Sequence, residues 1–405
     1  MESVTFARII FQPHRASCSP LPVLASIPFN KPYLSGQELA YIQQALRNGK
    51  LSGNGWFTQQ CQQFFEQRYG VRKALLTTSG TAALEMAALL LDIQPGDEVI
   101  IPTFTFTSTA NAFVLRGAHV VFADSLPDHP NIDITQLEQL ITPRTRALVV
   151  VHYAGVACDM AAVMQLAQRY NLFVIEDAAQ AIDSYYQQRP LGSIGHLAAF
   201  SFHETKNVIA GEGGLLAIND EQFQARAEII WEKGTNRAAY FRGETARYQW
   251  VDVGSSYLAS ELNAAYLWAQ LENLAFIQAQ RQQQWEQYYT ALVPLAAANA
   301  FALPMVPAYA RHNWHIFYVV CRTLEERTAL IKYLGTHRIL AVFHYQTLHN
   351  SPFYYARHDG RALTRASFYA DHLVRLPLFY ELTLADQQRI IAVLHEFYAL
   401  APNNS

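Results

Sequence analysis

The sequence predicts an α/β fold in which a mostly parallel sheet is covered by helices and is followed by a smaller C-terminal α+β domain. Between about residue 74 and residue 220, short apolar segments alternate with helical segments, as in parallel sheets that are buried on both faces. After a long helical region, strands and helices are mixed, which is typical of a small α+β domain. The 405 residues, 51% hydrophobic and 16% charged, are sufficient for two cores and exclude a disordered chain.

The elements are predicted in the following order. Residues 1–26 form a loose N-terminal extension, because ordered patterning begins only at residue 27. Two helices, 38–47 and 56–69, flank a glycine-rich loop. The strands of the large sheet are expected at residues 99–101, 120–122, 147–151, 172–175, 197–202 and 215–218.

A long helical region at 260–292 is expected to link two domains, since apolar residues recur in it at helical spacing. We therefore divide the chain into an N-terminal arm with a large domain, 27–270, and a linking helix with a small domain, 271–405. Strands at 316–320 and 339–343 and helices at 325–334 and 385–398 are expected in the small domain.

Composition and charge exclude several classes of partner. The net charge is −3 and no run of Lys or Arg forms a basic stripe, so nucleic acid is not expected. No apolar run reaches the roughly 18 to 20 residues that span a bilayer. The four cysteines are far apart, without metal-ligand spacing, which fits a reduced cytoplasmic protein with no metal site. The many aromatic and few charged residues favour a homo-oligomer.

Lys206 has the most unusual position of the six lysines in the chain. It follows the apolar segment 197–202 and precedes the glycine-rich run 211–214. An amine beside a core is desolvated, which lowers its pKa and makes it a nucleophile at neutral pH. Such an amine can form a Schiff base. The alternative is a solvated lysine whose aliphatic stem covers the strand end.

Three further segments lie beside strand ends or at a helix start. Residues 77–81 lead into an apolar helix, where hydroxyl side chains and Gly80 either bind a phosphate or only cap the helix. Asp177 ends an apolar strand, and a buried carboxylate needs a cation such as a protonated pyridine nitrogen or a structural ion-pair partner. Phe106 follows another strand, where it either stacks on a planar cofactor or reflects strand propensity.

An amine, a carboxylate, a helix N-terminus and an aromatic ring together describe a site for pyridoxal 5′-phosphate (PLP). Their order along the chain resembles that of the fold type I, aspartate aminotransferase-like enzymes. The amino-acid sequences of the motifs are similar to those of the DegT/DnrJ family of sugar aminotransferases. The resemblance covers about residues 27–400. The motifs that carry it are residues 78–84, 102–112, 176–181, 201–214 and 260–271.

The resemblance implies a role for each matching residue. Lys206 would form the Schiff base with PLP, Asp177 would bind the pyridinium nitrogen, and Gln180 would lie beside the ring hydroxyl. Phe106 would stack on the ring. The phosphate would be held by Gly80, Thr81 and Ser201.

One position departs from the family pattern. Many members carry asparagine where this chain has Ser256, and that asparagine reaches the phosphate in the neighbouring subunit. A serine can donate one hydrogen bond but has a shorter reach. The resemblance thus implies a homodimer with shared active sites, in which Ser256 has a shorter reach toward the phosphate than the asparagine of other members.

The resemblance also implies a substrate class. The combination of segments 201–207, 233–237 and 254–258 is similar to the branch that aminates carbon 4 of a dTDP-linked 4-dehydro-6-deoxyhexose, with glutamate as donor. Other nucleotide sugars, amination at carbon 3 and glutamine as donor remain open. In related lyases a histidine replaces the lysine, so Lys206 argues against a sugar dehydratase. A PLP-binding regulatory protein is a further alternative, because a fold does not imply an activity.

Candidate residues for the sugar nucleotide are basic. Its diphosphate needs cations, and Arg237, Arg242 and Arg247 lie in one glycine- and aromatic-containing segment. The alternative is a solvated surface loop. His344, in the small domain, is expected to face the substrate or to be a packed structural residue.

Overall fold

The computed structural model describes residues 25–400 of the chain. The predicted extension at residues 1–26 lies outside the described residues except for its last two. The helices are α1 Glu38–Asn48, α2 Trp56–Tyr69, α3 Gly80–Leu90, α4 Thr107–Val114, α5 Met160–Tyr170, α6 Gln224–Trp231, α7 Arg237–Phe241, α8 Glu261–Glu272, α9 Leu274–Ala297, α10 Leu324–Thr336, α11 Thr364–His372 and α12 Leu384–Leu400.

The strands form three sheets. They are β1 Lys73–Thr77, β2 Glu98–Pro102, β3 His119–Ala123, β4 Thr145–Val151, β5 Phe173–Asp177, β6 Tyr185–Tyr186, β7 Arg189–Pro190, β8 Leu197–Ser201, β9 Gly214–Ile218, β10 Ala310–Arg311, β11 Phe317–Val320, β12 Val342–Phe343 and β13 Leu373–Leu376.

The large sheet has seven strands in the order β1-β9-β8-β5-β4-β2-β3. Only β9 runs antiparallel to its neighbours, β1 and β8, and the other pairs are parallel. Alternate side chains enter two different cores, as Val149 and Val150 of β4 do, because successive residues of a strand point to opposite faces. These observations confirm the predicted α/β fold with a mostly parallel mixed sheet.

A smaller antiparallel sheet, β11-β13-β12, has a core of its own. Val374 and Leu376 of β13 pack into that core together with Leu330 of α10 and Ile390 of α12. Arg375 lies between these two strand residues and therefore points to the opposite face of the sheet. The division of the chain at residue 270 stays a prediction.

The long helical region predicted over 260–292 consists of two helices. The structure ends α8 at Glu272 and begins α9 at Leu274, with Asn273 between them outside helical geometry. The side-chain amide of Asn273 donates to the backbone oxygen of Ala269, at 2.9 Å. The region predicted over 260–292 is therefore helical, and it is divided at Asn273, because helical spacing continues across a residue whose side chain ends the first helix.

Candidate active site

A cavity of about 530 Å³ lies at the edge of the large sheet where its parallel strands end. Val151, the last residue of β4, is paired with Asp177, the last residue of β5, and Asp177 is paired with Ala199 of β8. These three residues and Ser201 line the cavity. This is the edge at which open α/β sheets bind ligands.

Lys206 reaches this cavity from the loop that follows β8. Burial lowers the pKa of its amine from 10.5 to about 8; Asp177 opposes this effect, and the positive charge of Arg375 adds to it. A larger share of the amine is therefore neutral near pH 7 than in a solvated lysine. The structure places Lys206 where a nucleophilic amine can act.

Asp177 is buried beside Lys206 in the same cavity. Burial raises the pKa of its carboxyl group, whereas hydrogen bonds and the nearby Lys206 lower it. The Thr109 hydroxyl donates to Oδ2 at 2.7 Å and the Ala179 N–H donates to Oδ1 at 3.1 Å. The Thr109 hydroxyl is itself 2.8 Å from the Thr105 hydroxyl. The carboxylate is thus held in one orientation, and a cation in the cavity would offset its burial.

The N-terminus of α3 forms another wall of the cavity, with Ser79, Gly80 and Thr81. Ser79 caps the helix, since its hydroxyl accepts a hydrogen bond from Ala82 N–H at 3.1 Å. The Thr81 hydroxyl lies 2.7 Å from that of Ser108. A Cβ added to Gly80 would lie 2.9 Å from the Cβ of Ser201. Backbone and hydroxyl groups therefore converge closely enough to hold a phosphate.

Three further predicted residues line the cavity: Phe106, Gln180 and His344. Phe106 is 57% exposed, although large aromatic side chains are usually covered, and its ring is available to a planar ligand. Gln180 is fixed, because Oε1 accepts from Ala154 N–H at 2.7 Å and Nε2 donates to the Tyr345 hydroxyl at 3.0 Å.

His344 is held as a neutral imidazole. Burial lowers its pKa well below the usual value, and the positive charges of Arg375 and Lys206 add to this effect. Its Nδ1 lies 3.2 Å from the Tyr153 hydroxyl. The side chain is packed and also lines the cavity, so a structural role and a position facing the substrate are compatible.

Four predicted site residues do not line this cavity. Ser256 and Arg242 do not line the cavity, and Arg237 and Arg247 line a separate surface depression. Arg242 pairs with Glu228 at 2.8 Å and with Glu244 at 2.7 Å. Within one subunit, these residues therefore do not reach Lys206.

Several residues of the cavity were not predicted from the sequence. Thr109 fixes Asp177, and Tyr345 fixes Gln180. His315 and Arg375 line the cavity from the part of the chain that carries the small sheet. Arg375 could have been found in the same way as Lys206, because each is a charged residue at an apolar strand. Thr109 carries no comparable signal, since its partner is 68 residues away.

The residues of the cavity fit PLP. A narrow cradle at a helix N-terminus suits its phosphate, a buried carboxylate suits its ring nitrogen, an exposed aromatic ring suits its face, and an amine of lowered pKa suits its aldehyde. Within residues 25–400, no group of three or more His, Cys, Asp or Glu side chains is arranged to hold a metal ion. In the same part of the chain, none of the helices is long and apolar enough to cross a membrane.

The fold and the site define a PLP-dependent enzyme of the fold type I aminotransferase class. The model of the DegT/DnrJ/EryC1/StrS aminotransferase family matches residues 32–395, and the chain belongs to this family. It is thus a member of a family of PLP-dependent sugar aminotransferases, and PLP is its cofactor, as predicted.

Solved structures agree with this assignment. DesV of S. venezuelae, in complex with a ketimine intermediate, is 30% identical, with a TM-score of 0.84 over 92% of this chain and 99% of that one. The aminotransferase TlmJ of Streptoalloteichus hindustanus is 26% identical, with a TM-score of 0.85 over 93% and 99%. The sugar aminotransferase Spr1654 of Streptococcus pneumoniae, in its PLP form, shares the fold at 24% identity, with a TM-score of 0.83 over 92% and 100%.

Proposed function

We propose that this protein is a dTDP-4-amino-4,6-dideoxygalactose transaminase. It would convert dTDP-4-dehydro-6-deoxy-D-glucose to dTDP-4-amino-4,6-dideoxy-D-galactose with L-glutamate as the amino donor. The placement of Lys206, with its lowered pKa, beside the buried Asp177 carries the proposal of transamination. The choice of sugar is supported by the resemblance of segments 201–207, 233–237 and 254–258 to that branch, which makes the amino sugar of enterobacterial common antigen.

Each side chain has a defined task in this proposal. PLP, when bound, supplies an electron sink that stabilises negative charge on the carbon that loses a proton. The Asp177 carboxylate, fixed by Thr109 and Ala179, would keep the ring nitrogen protonated. The amine of Lys206 would move the proton between the α-carbon of the donor and the aldehyde carbon of the cofactor, because its pKa of about 8 allows it to gain and to lose a proton near neutral pH.

The remaining residues would bind the cofactor and the sugar. Gly80, Thr81 and Ser201 would hold the phosphate, Phe106 would cover one ring face, and Gln180 would lie beside the ring hydroxyl. The neutral imidazole of His344 can donate or accept a hydrogen bond with a sugar hydroxyl.

We also propose a homodimer whose two sites are shared. Arg237 and Arg247 lie near exposed aromatic residues, of which Phe241 is 70% and Trp250 81% exposed. An exposed apolar patch of this kind is typical of a protein interface. In a dimer, this segment and Ser256 would lie against the cavity of the neighbouring subunit, where the arginines would bind the diphosphate.

A product analysis tests the proposed reaction. The protein, converted to its pyridoxamine 5′-phosphate form, is incubated with dTDP-linked 4-dehydro- and 3-dehydro-6-deoxyhexoses, and each product is identified by NMR. We expect one aminated product, with nitrogen on carbon 4 in the galacto configuration. Lys206→Ala should lower the rate on the order of 10²- to 10⁴-fold, since it removes the proton-transferring group.

Other products would change the proposal in defined ways. Amination at carbon 3, or of a different nucleotide sugar only, would replace the proposed substrate but leave a sugar transaminase. Loss of a sugar hydroxyl without transfer of nitrogen would indicate a lyase. A purified protein that binds PLP but reacts with no sugar or amino acid would indicate a regulatory role.

A further inference from the structure

Asn207, the residue that follows Lys206, is buried and is bound to two other parts of the chain. Its side-chain amide donates to Oε1 of Gln278 in α9, at 2.9 Å, and to the backbone oxygen of Asn313, at 2.8 Å. Its Oδ1 lies 2.7 Å from Nδ1 of His315. Because both amide hydrogens are used in the first two contacts, Oδ1 is the acceptor in the third, and Nδ1 of His315 carries the hydrogen.

Asn313, which accepts one of these bonds, also holds the turn that contains Gln180. Its buried amide donates to the backbone oxygens of Gln180 and Ile182, both at 2.8 Å. Gly155 makes this approach possible, since a Cβ there would lie 1.9 Å from Oδ1 of Asn313. The loop after β8 and the turn after β5, which both line the cavity, are therefore tied to the same segment, 313–315.

The backbone of the segment 313–315 is held in an uncommon conformation. Trp314 has a φ of +52°, a value that bulky side chains rarely adopt. Arg281 of α9 donates to the backbone oxygen of Trp314, at 3.2 Å, and to that of His315. A strained residue persists only where its surroundings determine its position, and such residues cluster at active sites.

The imidazole of His315 is a neutral member of this network and lines the cavity. Burial lowers its pKa well below the usual value, and the positive charges of Lys206, Arg281 and Arg375 add to this effect. The ring therefore keeps a single hydrogen at pH 7, which the contact with Asn207 places on Nδ1. The hydrogen bond thus fixes the loop without adding a charge beside the Lys206 amine.

We propose that Asn207 and His315 form a positioning pair for Lys206, an inference that rests on the proposed role of this lysine. The amine of Lys206 has to reach two carbon atoms in turn, so its side chain moves while its main chain stays in place. The hydrogen bonds of Asn207 would hold that main chain from the adjacent residue. Misplacement of a reacting group by about 1 Å costs on the order of 100-fold in rate.

Four variants test this inference. His315→Asn keeps a hydrogen-bond donor at the δ position, and with it the bond to Asn207, whereas His315→Leu removes the donor. Asn207→Ser removes both donations of the amide. Asn219→Ser is the matched control, because the amide of Asn219 also donates to two backbone oxygens, at 2.7 and 3.1 Å, but neither oxygen belongs to a residue of the cavity.

Three measurements are made on each variant. The rate at which the cofactor-free protein binds PLP covalently, followed by absorbance, reports the position of the Lys206 amine and needs no substrate. The PLP-loaded protein is then mixed with L-glutamate over a range of concentrations, which separates the limiting rate from the half-saturating concentration. Thermal unfolding gives the stability of each variant.

We expect Asn207→Ser and His315→Leu to lower the rate of covalent PLP binding and the limiting rate with glutamate on the order of 10- to 100-fold. The half-saturating concentration of glutamate should change little. His315→Asn should recover most of both rates. Asn219→Ser should lose stability but keep both rates.

Several results would overturn the positioning pair. Unchanged rates in Asn207→Ser, with a loss of stability like that of Asn219→Ser, would leave these residues a purely structural role. Equal losses in His315→Asn and His315→Leu would assign the effect to the imidazole ring and not to its bond with Asn207. The comparison of the two His315 variants decides the question if Asn207→Ser does not fold.

The wild type separates this inference from the proposed function. An absorbance of bound PLP that persists in Lys206→Ala would contradict the role of Lys206, and with it both proposals. Amination of a different sugar would leave the positioning pair intact, because none of the three measurements uses a sugar. Normal covalent binding in the wild type, together with unchanged rates in Asn207→Ser, would overturn the positioning pair alone.

Discussion

Lys206, Asp177 and Arg375 share one cavity, and the charge of each affects its neighbours. Asp177 raises the pKa of Lys206, whereas burial and Arg375 lower it. The net result is an amine with a pKa of about 8, close to the pH at which a residue can both accept and release a proton. The pKa of the Lys206 amine therefore depends on residues from both the large and the small sheet.

This balance predicts a pH-dependent stability. Between pH 8 and pH 10.5 the unfolded chain binds a proton at Lys206 that the folded protein does not, so stability rises with pH in this window. Below pH 8 the full penalty of the buried ammonium is present. We expect Lys206→Met to raise the free energy of unfolding of the cofactor-free protein by roughly 3 kcal/mol at pH 7, from 1.36 kcal/mol per pKa unit, and this gain to vanish by about pH 10.5.

Urea unfolding at several pH values measures this gain as the difference between the variant and the wild type. The same substitution at Lys332, which is exposed on α10, is the control. An equal gain at Lys332, or a gain at Lys206 that does not fall with rising pH, would contradict the explanation.

At the residue scale, the sequence predicts residues whose chemistry stands out from their local surroundings. Lys206 and Asp177 are charged residues at the ends of apolar strands, and a short motif surrounds each of them. The support for Asp177 was not predictable, because Thr109 meets it only after β2, β4 and β5 align. Arg375 had the same local signal as Lys206, but no motif around it indicated a place in the cavity.

At the scale of elements, the cavity depends on the close approach of α3 to β8 and β9. Gly80 faces Ser201, and a Cβ added to Gly214 would lie 2.2 Å from the carbonyl carbon of Ser79. Two glycines therefore allow the first turn of α3 to lie directly on the sheet. The same first turn provides the proposed phosphate cradle.

Gly80→Ala should weaken cofactor binding and folding together. The new methyl group would push the first turn of α3 away from Ser201, and overpacking of this kind costs about 1 to 3 kcal/mol. We expect an increase of about 10- to 100-fold in the PLP dissociation constant, from the same free energy. Titration of the cofactor-free protein with PLP measures the change in affinity, and thermal unfolding measures the change in stability.

Gly335→Ala is the control for this variant. Gly335 lies in α10, and nothing is within 4 Å of the position of its Cβ. Alanine is the better helix former by about 0.5 to 1 kcal/mol, so this variant should be slightly more stable with unchanged PLP affinity. A Gly80→Ala protein that behaves like Gly335→Ala would show that α3 does not need this close approach.

Most strands of the large sheet are predicted by apolar runs in the sequence, but helix α4 and strand β1 are not. Helix α4, Thr107–Val114, was not predicted, because alternating threonines and aromatic residues favour a strand locally. Strand β1, Lys73–Thr77, begins with a lysine that pairs with Glu228 of α6, a contact distant in sequence. Local sequence patterns thus predict the elements that are apolar along their whole length. The secondary structure of the other elements depends on tertiary contacts.

At the scale of the whole molecule, the large sheet and the small sheet both contribute residues to one cavity. Asp177 and Ser201 come from the large sheet, and Arg375 comes from the small one. No residue of the segment 237–253 lines this cavity, and the segment exposes Tyr240, Phe241, Tyr248 and Trp250. A single subunit therefore leaves both the predicted diphosphate arginines and an apolar surface without a function, and a dimer would use both.

Phe241→Glu should break this dimer. In a two-fold symmetric interface each substitution occurs twice, so one glutamate places two charges in an apolar contact. We expect the wild type to sediment at twice the subunit mass of 45.7 kDa and the variant to sediment as a monomer at micromolar concentration. The monomer should bind the sugar nucleotide more weakly, since Arg237 and Arg247 would no longer face a neighbouring cavity.

Tyr355→Glu provides the matched control, because Tyr355 is equally exposed, at 70%, but lies outside the segment 237–253. It should retain the mass and the saturation behaviour of the wild type. A monomeric wild type with full activity would refute the shared sites. A Phe241→Glu variant that remains dimeric would place the interface elsewhere. Mixing Lys206→Ala with a triple alanine variant of Arg237, Arg242 and Arg247 adds a direct test, since shared sites predict that the mixed dimer regains one complete site.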